Sequence, residues 1–149
     1  MKLRHVFLTI LALVIFACVE TSFANYIGAM KAPVQVYVLG HYLDHTYSCI
    51  DNLSSCQSFS FAGIGSGNTY GGTLIGGQWN YATSAQASKA WCYSGCYMYY
   101  MQHGVCHQYT NRMLYAIGRE IADNGAIQGY GFSRWTWGPR GTNFAQCAC

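Results

Sequence analysis

The stretch that decides the fold is CHQYTNRMLYAIGREIA, residues 106–122. Apolar side chains recur every four residues along it and line one face of an α-helix, at Tyr109, Met113, Ile117 and Ile121. Gly104 precedes the segment, and the pair Asn124-Gly125 after it is typical of a helix C-terminus. The sequence therefore predicts a helix over residues 106–122 with an apolar face directed at the core.

Strand patterns occur on both sides of this helix. Val34–Leu39 is rich in β-branched and aromatic residues, and Ser58–Phe61 alternates polar with apolar side chains. Downstream, Gln128–Trp137 is aromatic and interrupted by glycines, which predicts one or two strands before a turn at Gly138-Pro139. Short strands are also expected at Thr73–Ile75 and Gln78–Tyr81, whereas no element is assigned to Ser84–Lys89. The order of elements predicts an α+β fold in which a small antiparallel sheet packs on the helix.

Composition excludes several classes of protein. The chain has 149 residues, of which 52% are hydrophobic and 9% charged, and this balance is far from that of a disordered protein. The formal net charge of +3 is small and scattered, so we expect no nucleic-acid partner. Nothing in the composition indicates a cofactor. A single domain suits this length.

The N-terminus has the pattern of a secretory signal over Met1–Ala24. Lys2 and Arg4 provide the positive start, an apolar run comes next, and Ser22-Phe23-Ala24 offers a cleavage site. Cleavage there leaves residues 25–149 as one secreted or periplasmic domain without a transmembrane segment. The alternative is a lipoprotein signal that would acylate Cys18.

Export changes the interpretation of the cysteines, because disulfides persist outside the cytoplasm. Of the 8 cysteines, only Cys18 lies in the signal, and the remaining odd number leaves at least one without an intramolecular partner. We expect Cys49/Cys56 and Cys92/Cys96 to close short loops and the C-terminal Cys147 and Cys149 to reach back to other segments. The spacing does not decide the full connectivity.

Cys106 is the best candidate for the unpaired thiol and for a nucleophile. At the start of a helix, a thiolate faces unsatisfied backbone N–H groups and the positive end of the helix dipole. Both are expected to lower the pKa of the thiol. The same N–H groups can hold the oxyanion that forms when a thiolate attacks a carbonyl. The opposing interpretation is that Cys106 is one more disulfide partner.

A cysteine nucleophile needs a base, which is most often a histidine. His41 comes after the strand predicted over Val34–Leu39 and is the preferred base, with His45 in reserve. His107 is adjacent to Cys106 on the helix, so the two side chains point about 100° apart. His103 precedes the helix, where a capping or solvent-exposed role is expected.

These segments resemble a known family. The run VYVLGH, residues 36–41, and the helix start GVCHQ, residues 104–108, resemble motifs of circularly permuted papain-like enzymes. Those enzymes are relatives of the NlpC-type cell-wall peptidases and of lecithin:retinol acyltransferase, and in them the histidine strand precedes the cysteine helix. The resemblance implies Cys106 as nucleophile, His41 as base and a cell-wall peptide as substrate. A third, orienting residue would come from the next strand, with Gln57, Ser58 and Ser60 as candidates.

Two further hypotheses concern binding. Cys92 and Cys96 together with Cys106-His107 offer zinc ligands, although the oxidising compartment favours disulfides and no metal is predicted. An aromatic cluster offers a groove for carbohydrate or peptide and comprises Tyr97, Tyr99, Tyr100, Trp135 and Trp137. On that hypothesis the protein is a disulfide-stapled binding module without chemistry.

Overall fold

A computed structural model describes residues 25–38, 41–51, 53–77, 79–92, 99–121, 127 and 129–142. The signal segment, Cys18, Cys96, Cys147, Cys149, Tyr97 and the Asn124-Gly125 helix stop lie outside these residues, as does the side chain of Cys92. Among the described residues, no helix has the length and apolar character needed to cross a membrane.

The fold is α+β, as the sequence predicts, and its sheet is antiparallel. Six strands form it: β1 (Asn25–Val38), β2 (His41–Ile50), β3 (Ser55–Ser60), β4 (Gly63–Ile64), β5 (Thr73–Leu74) and β6 (Asn80–Ala82). Their order is β4-β3-β2-β1-β5, and β6 pairs with the first residues of β1. The long β1–β2 hairpin is the centre of the sheet, and its second strand packs against the helix that begins at Cys106.

The β1–β2 hairpin has one irregularity. Pro33 pairs with Asp44 and Tyr37 pairs with Tyr42, so three residues of β1 lie opposite the single residue Leu43 of β2. A bulge of this kind bends the strands and increases their twist. Pro33, which lacks the N–H of a regular ladder, is tolerated beside the irregularity.

Each face of the sheet has its own core. On the helix-bearing face, Ile27 and Ala29 of β1 and Phe59 of β3 join a cluster with the buried residues of the long helix. On the opposite face, Met30 and Tyr47 pack against Leu74 and Trp79 of the segment around β5. Because side chains alternate along a strand, Thr46 and Ser48 of β2 lie on the helix-bearing face of the sheet. The odd-numbered residues of β2, such as His45 and Tyr47, lie on the opposite face.

Helix α1 (Ser84–Cys92) covers a stretch to which the sequence pattern assigns no element. Its start is fixed by a reciprocal pair of hydrogen bonds: Gln86 N donates to Thr83 Oγ1 at 3.2 Å, and Thr83 N donates to Gln86 Oε1 at 2.9 Å. This is a capping box, in which two otherwise unsatisfied N–H groups find partners. The signal, Thr83-x-x-Gln86, is present in the sequence.

Helix α2 (Cys106–Tyr115) begins where the sequence predicts and ends earlier than the predicted Ala122. After Tyr115 the backbone turns, with Gly118 at φ 70°, and Ile121 N donates to the Asn111 side chain at 2.6 Å. The buried amide of Asn111 thereby holds the chain as it turns back along the helix. The side chain of Asn111 therefore helps to end the helix at Tyr115, whereas the apolar spacing predicts an end at Ala122.

Helix α3 (Tyr130–Trp137) corrects the prediction of strands over Gln128–Trp137. Tyr130 and Ser133 are buried and Trp137 is half-buried, a spacing of three and four residues that belongs to a helix. Gly129, at φ 82°, allows the chain to enter the helix. The expected turn at Gly138-Pro139 comes after it and is confirmed.

One predicted disulfide is confirmed. Cys49 on β2 is bonded to Cys56 on β3, and the two residues are direct partners in the strand register. The bond joins the two strands on the face away from α2.

The strand predicted at Ser58–Phe61 is found as β3, and that predicted at Thr73–Ile75 as β5. The expected Gln78–Tyr81 extension corresponds to β6.

Candidate functional site

Cys106 opens α2 and is a free cysteine, as predicted, with only 5% of its surface exposed. Its Sγ lies against β2, where both the backbone N–H and the hydroxyl of Thr46 are directed at it. The backbone N–H of His107, in the first turn of the helix, is the third donor that faces the sulfur. A free thiol that faces backbone N–H groups at a helix N-terminus has the position of a cysteine nucleophile.

The pKa of the Cys106 thiol is raised, mainly because burial penalises the thiolate. The hydrogen bonds from Thr46 and His107 act in the opposite direction, and the negative charge of Asp44 adds to the increase. This corrects the expectation that the helix start lowers the pKa of this thiol. In the described conformation Cys106 is therefore a neutral thiol near pH 7, and its ionisation requires a base.

The hydroxyl of Tyr100 completes the immediate surroundings of the sulfur. It lies close to the Cys106 side chain and faces the Cys106 backbone N–H. Burial, followed by the charge of Cys106, raises the pKa of this phenol, so it stays protonated as a donor. The ring is packed at centroid distances of 5.2 Å from Phe59 and 4.4 Å from Phe61.

His107 points away from the sulfur, as helical geometry predicts. Its Nε2 lies 3.3 Å from Asp44 Oδ1, and its Nδ1 lies 3.1 Å from Ser133 Oγ. Ser133 Oγ also accepts from Gln108 Nε2 at 3.0 Å and donates to the Tyr130 carbonyl at 3.0 Å. Both imidazole nitrogens thus take part in a hydrogen-bond network that connects β2, α2 and α3.

His45, the reserve base, lies on the other side of the sheet. It pairs with Ala32, its ring is 6.2 Å from that of Tyr47, and it is hydrogen-bonded to the Asn68 backbone. Thr46, the next residue, faces Cys106, so alternation directs His45 away from the thiol. Burial lowers the pKa of His45 and keeps it neutral. It therefore does not serve as the base for Cys106 in this fold.

His103 has a local role. Its Nδ1 accepts a hydrogen bond from Tyr99 N at 3.1 Å, and the two rings are 5.7 Å apart. The His103 carbonyl accepts from Thr142 N at 2.9 Å, which holds the end of the described chain beside the loop. The N-cap of α2 is Val105, so the contacts of His103 stabilise the preceding loop and are not those of a helix cap.

His41, the preferred base, opens β2 and pairs with Val38, while its side chain lies outside the described part of the molecule. A straight strand would place His41 about 16 Å from Thr46, at roughly 3.3 Å per residue. The bulge opposite Leu43 lies between these two residues and bends the hairpin. The pairing of His41 with Cys106 stays a prediction.

The three candidates for an orienting residue separate onto the two faces of the sheet. Gln57 is on the helix-bearing face, where its Oε1 accepts from the Tyr109 hydroxyl at 2.8 Å. Ser58 and Ser60 are hydrogen-bonded to Ser66 on the opposite face, the former to its carbonyl and the latter to its hydroxyl. Only Gln57 shares a face with Cys106.

Three buried hydroxyls belong to β2 and α2. Thr46 Oγ1, Ser48 Oγ and Thr110 Oγ1 have no hydrogen-bond partner. Thr110 lies one turn beyond Cys106, about 6 Å along the helix. Ser48 lies two residues beyond Thr46, about 6.6 Å along the strand.

The predicted aromatic cluster is divided by the fold. Tyr100 packs inward, and Trp137 Nε1 donates to the Met101 carbonyl at 3.1 Å. Trp135, by contrast, is 84% exposed and lies 6.4 Å from the ring of Phe132, which is 64% exposed. Trp135 and Phe132 thus form an exposed aromatic patch on the outer side of α3, and Tyr99 of the predicted cluster is 64% exposed as well. Among the described residues, no group of three or more His, Cys, Asp and Glu side chains is placed to hold a metal ion.

Sequence reasoning misses Thr46, Tyr100, Asp44 and Ser133 as parts of the site. Thr46 and Asp44 come from β2, Tyr100 from the loop before α2, and Ser133 from a segment predicted as strand. A weak signal exists at Asp44 and Thr46, two polar residues with the alternate spacing of a strand in an otherwise aromatic segment.

Comparisons with known proteins return nothing: no protein-family model, curated protein or solved structure matches this chain. The interpretation of the site therefore depends on its own geometry.

Proposed function

We propose that this protein is a thiol hydrolase in which Cys106 attacks an amide or ester carbonyl. The observation that carries the proposal is the position of the free thiol, which lies at a helix N-terminus among donors from Thr46 and His107. Such donors stabilise a thiolate and, beside it, an oxyanion.

His41 is the base in this proposal. It takes the proton from Cys106 Sγ as the C–S bond forms and the carbonyl π electrons move to oxygen. Collapse of the tetrahedral intermediate breaks the bond to the leaving amine or alcohol, which receives that proton. Water then adds to the thioester, releases the acid and regenerates the thiol.

The raised pKa of Cys106 makes the base a requirement. Burial keeps the sulfur protonated, so the thiol needs a neighbour that removes the proton during attack. The histidine strand before the cysteine helix is the order found in circularly permuted papain-like enzymes, and that arrangement is part of the proposal. The resemblance implies the peptide stems of bacterial cell wall as substrate, with an exported domain acting on them. An amine acceptor in place of water would make the same site a transferase.

The proposal is tested with purified, non-reduced protein and iodoacetamide, followed by mapping of the labelled cysteine with mass spectrometry. The labelled residue should be Cys106, and His41→Ala should lower the labelling rate near pH 7 at least tenfold without lowering the melting temperature. His103→Ala is the matched control and should leave the rate unchanged. Labelling of another cysteine, or equal rates in the His41 and His103 variants, contradicts the Cys106–His41 mechanism.

A second candidate function is a binding module without chemistry. It is favoured by the two exposed aromatic rings on the outer side of α3, Phe132 and Trp135. Retention of the protein on insoluble cell-wall material separates the two functions. A binding module loses retention on Trp135→Ala and keeps it on Cys106→Ala. A hydrolase releases soluble peptide from the material, and Cys106→Ala stops that release.

A further inference from the structure

Gln108 is a fully buried amide in the first turn of α2. Its Oε1 accepts from Val105 N at 3.1 Å. Its Nε2 donates to Ser133 Oγ at 3.0 Å and to the Gly138 carbonyl at 3.4 Å. These partners fix the orientation of the amide, because only its oxygen can accept and only its nitrogen can donate. The side chain therefore ties the residue before Cys106 to α3 and to the residue that ends α3.

Gly104 makes room for this side chain. A Cβ at Gly104 would lie 2.9 Å from Gln108 Cβ, which is too short for two carbon atoms that are not bonded. Gly104 also has φ 145°, a backbone conformation that favours glycine. The absence of a side chain at Gly104 thus allows Gln108 to fold back over the loop and reach Val105 N.

A chain of hydrogen bonds anchors the amide in turn. Gln108 Nε2 shares the acceptor Ser133 Oγ with His107 Nδ1, which lies 3.1 Å from it. On the other side of the imidazole, His107 Nε2 lies 3.3 Å from Asp44 Oδ1. The first turn of α2 is therefore held against both α3 and β2, and support of this kind keeps functional groups in a fixed geometry.

The N-terminus of α2 has no cap from the side chain of its N-cap residue. That residue is Val105, with extended backbone at φ −123° and ψ −172° and an apolar side chain. The first N–H groups of a helix have no acceptor within the helix. Gln108 binds the N–H of Val105 itself, so the N–H groups of Cys106 and His107, one and two residues further on, have no cap from the N-cap side chain. Donors at this end of a helix are suited to stabilise a negative charge.

We propose that Gln108 is a positioning residue of the thiol site, which sets the direction of the Cys106 and His107 backbone N–H groups through its bond to Val105 N. The inference rests on the proposed thiol hydrolase. In the step concerned, Cys106 Sγ bonds to the carbonyl carbon, the thiol proton passes to the base, and the π electrons move to the oxygen that these N–H groups face. Gln108 acts without touching the substrate. When its Oε1 is removed, the Val105 N–H loses its acceptor and the first turn of α2 shifts, which misplaces the donors.

Two reagents separate the alignment of the oxyanion donors from the reactivity of the thiol. Iodoacetamide alkylates sulfur at a saturated carbon and forms no oxyanion, whereas p-nitrophenyl acetate acylates it through a tetrahedral oxyanion. Both rates are measured at Cys106 of the full chain, and the ratio of acylation to alkylation is compared between variants. Gln108→Met keeps the length of the side chain and removes both hydrogen-bonding groups. Gly104→Ala keeps Gln108 and displaces its side chain.

Asn111→Leu is the matched control. Asn111 is a buried amide of the same helix, and it is bonded to the Pro139 carbonyl and to Ile121 N instead of the residues before Cys106. Its loss removes buried hydrogen bonds from α2 and leaves the N-terminus of the helix intact. Thermal denaturation of every variant reports which proteins are folded and how much stability each has lost.

Gln108→Met and Gly104→Ala should each lower the ratio about tenfold and keep the iodoacetamide rate within about threefold, because misplaced donors weaken only the reaction that forms an oxyanion. Asn111→Leu should lower the melting temperature and leave the ratio within about twofold. An unchanged ratio in folded Gln108→Met or Gly104→Ala protein, or an equal loss in Asn111→Leu protein, overturns the role of Gln108 while the proposed hydrolase stands. Failure of the unmodified protein to form an acyl-Cys106 at all, while iodoacetamide still labels that residue, overturns both.

Discussion

Asp44 Oδ1 and His107 Nε2 lie 3.3 Å apart in the interior, with 9% and 5% of their side chains exposed. The contact joins β2 to the first turn of α2, immediately beside the residues that place Thr46 against Cys106. It also engages the imidazole that is next to the nucleophile in sequence. The histidine next to the nucleophile in sequence is therefore a structural partner in the fold.

Replacement of Asp44 by Asn should destabilise the protein by about 2 kcal/mol, because it removes the carboxylate that is hydrogen-bonded to the buried His107 Nε2. Equilibrium urea denaturation measures the change. Glu120→Gln is the control, since Glu120 is paired with Arg134 at 3.3 Å and both side chains are 44% exposed. That exposed pair should contribute less than about 1 kcal/mol. An equal decrease in the free energy of unfolding in the two variants would show that the buried Asp44–His107 contact contributes no more to stability than the exposed Glu120–Arg134 pair.

The disulfide between Cys49 and Cys56 should contribute about 2.5 kcal/mol to the free energy of unfolding, the value expected for closing so short a loop. The double variant Cys49→Ala/Cys56→Ala tests this by thermal and urea denaturation. Dithiothreitol should destabilise the unmodified protein by at least this amount and the double variant by correspondingly less, since any bond formed by the other cysteines is reduced in both proteins. Cys106→Ala is the control and should keep the full sensitivity to reductant, whereas equal losses in the unmodified protein and the double variant would contradict the contribution of Cys49–Cys56.

Stability should fall at alkaline pH because the pKa of Cys106 is raised in the fold. The unfolded thiol ionises near pH 8.5. Above that pH the folded state binds more protons than the unfolded state, so unfolding becomes easier as the pH rises, with a slope of up to about 1.4 kcal/mol per pH unit. Cys106→Ala should remove the slope between pH 8.5 and 10. Tyr109→Phe should alter only the region above pH 10, where Tyr109, one of the two phenols with a raised pKa, contributes. A Cys106→Ala profile that matches the unmodified protein would contradict the burial argument.

The lowered pKa of His45 predicts that the free energy of unfolding also decreases at acid pH, as the pH falls. Burial lowers its pKa in the fold, so below pH 6.5 the unfolded chain takes up a proton that the folded chain does not. Stability should therefore decrease as the pH falls from 7 to 5, and His45→Gln should flatten that part of the curve. His103→Gln provides the comparison, because His103 is a partly exposed histidine in the loop. A slope that persists in His45→Gln would assign the acid dependence to another group.

Local features of the chain are sufficient to predict several elements. Apolar spacing locates the start of α2 at Cys106, and β-branched composition locates the C-terminal end of β1. The short separation of Cys49 and Cys56 suggests their bond. Each of these three predictions depends on residues that are close together in the sequence. Hydrophobic periodicity and secondary-structure propensity describe features over that range.

The two wrong predictions, strands over Gln128–Trp137 and a helix that extends to Ala122, have a common cause. Aromatic residues and glycines favour strands locally over Gln128–Trp137, yet Ser133 and Tyr130 are buried against α2 as one helical face. The end of α2 depends on the Asn111 side chain, which bonds to the backbone of Ile121. In both cases a buried polar contact between distant segments outweighs the local preference, since leaving such groups unsatisfied is costly.

The sequence by itself determined that a cysteine begins the principal helix and that one cysteine is left without a partner. Only the tertiary structure decided what surrounds that thiol. The sheet register turns His45 away from Cys106 and Thr46 towards it, and the loop before α2 brings in Tyr100. A one-residue difference along a strand reverses the face of a side chain, so the environment of the sulfur depends on long-range pairing that local sequence does not encode.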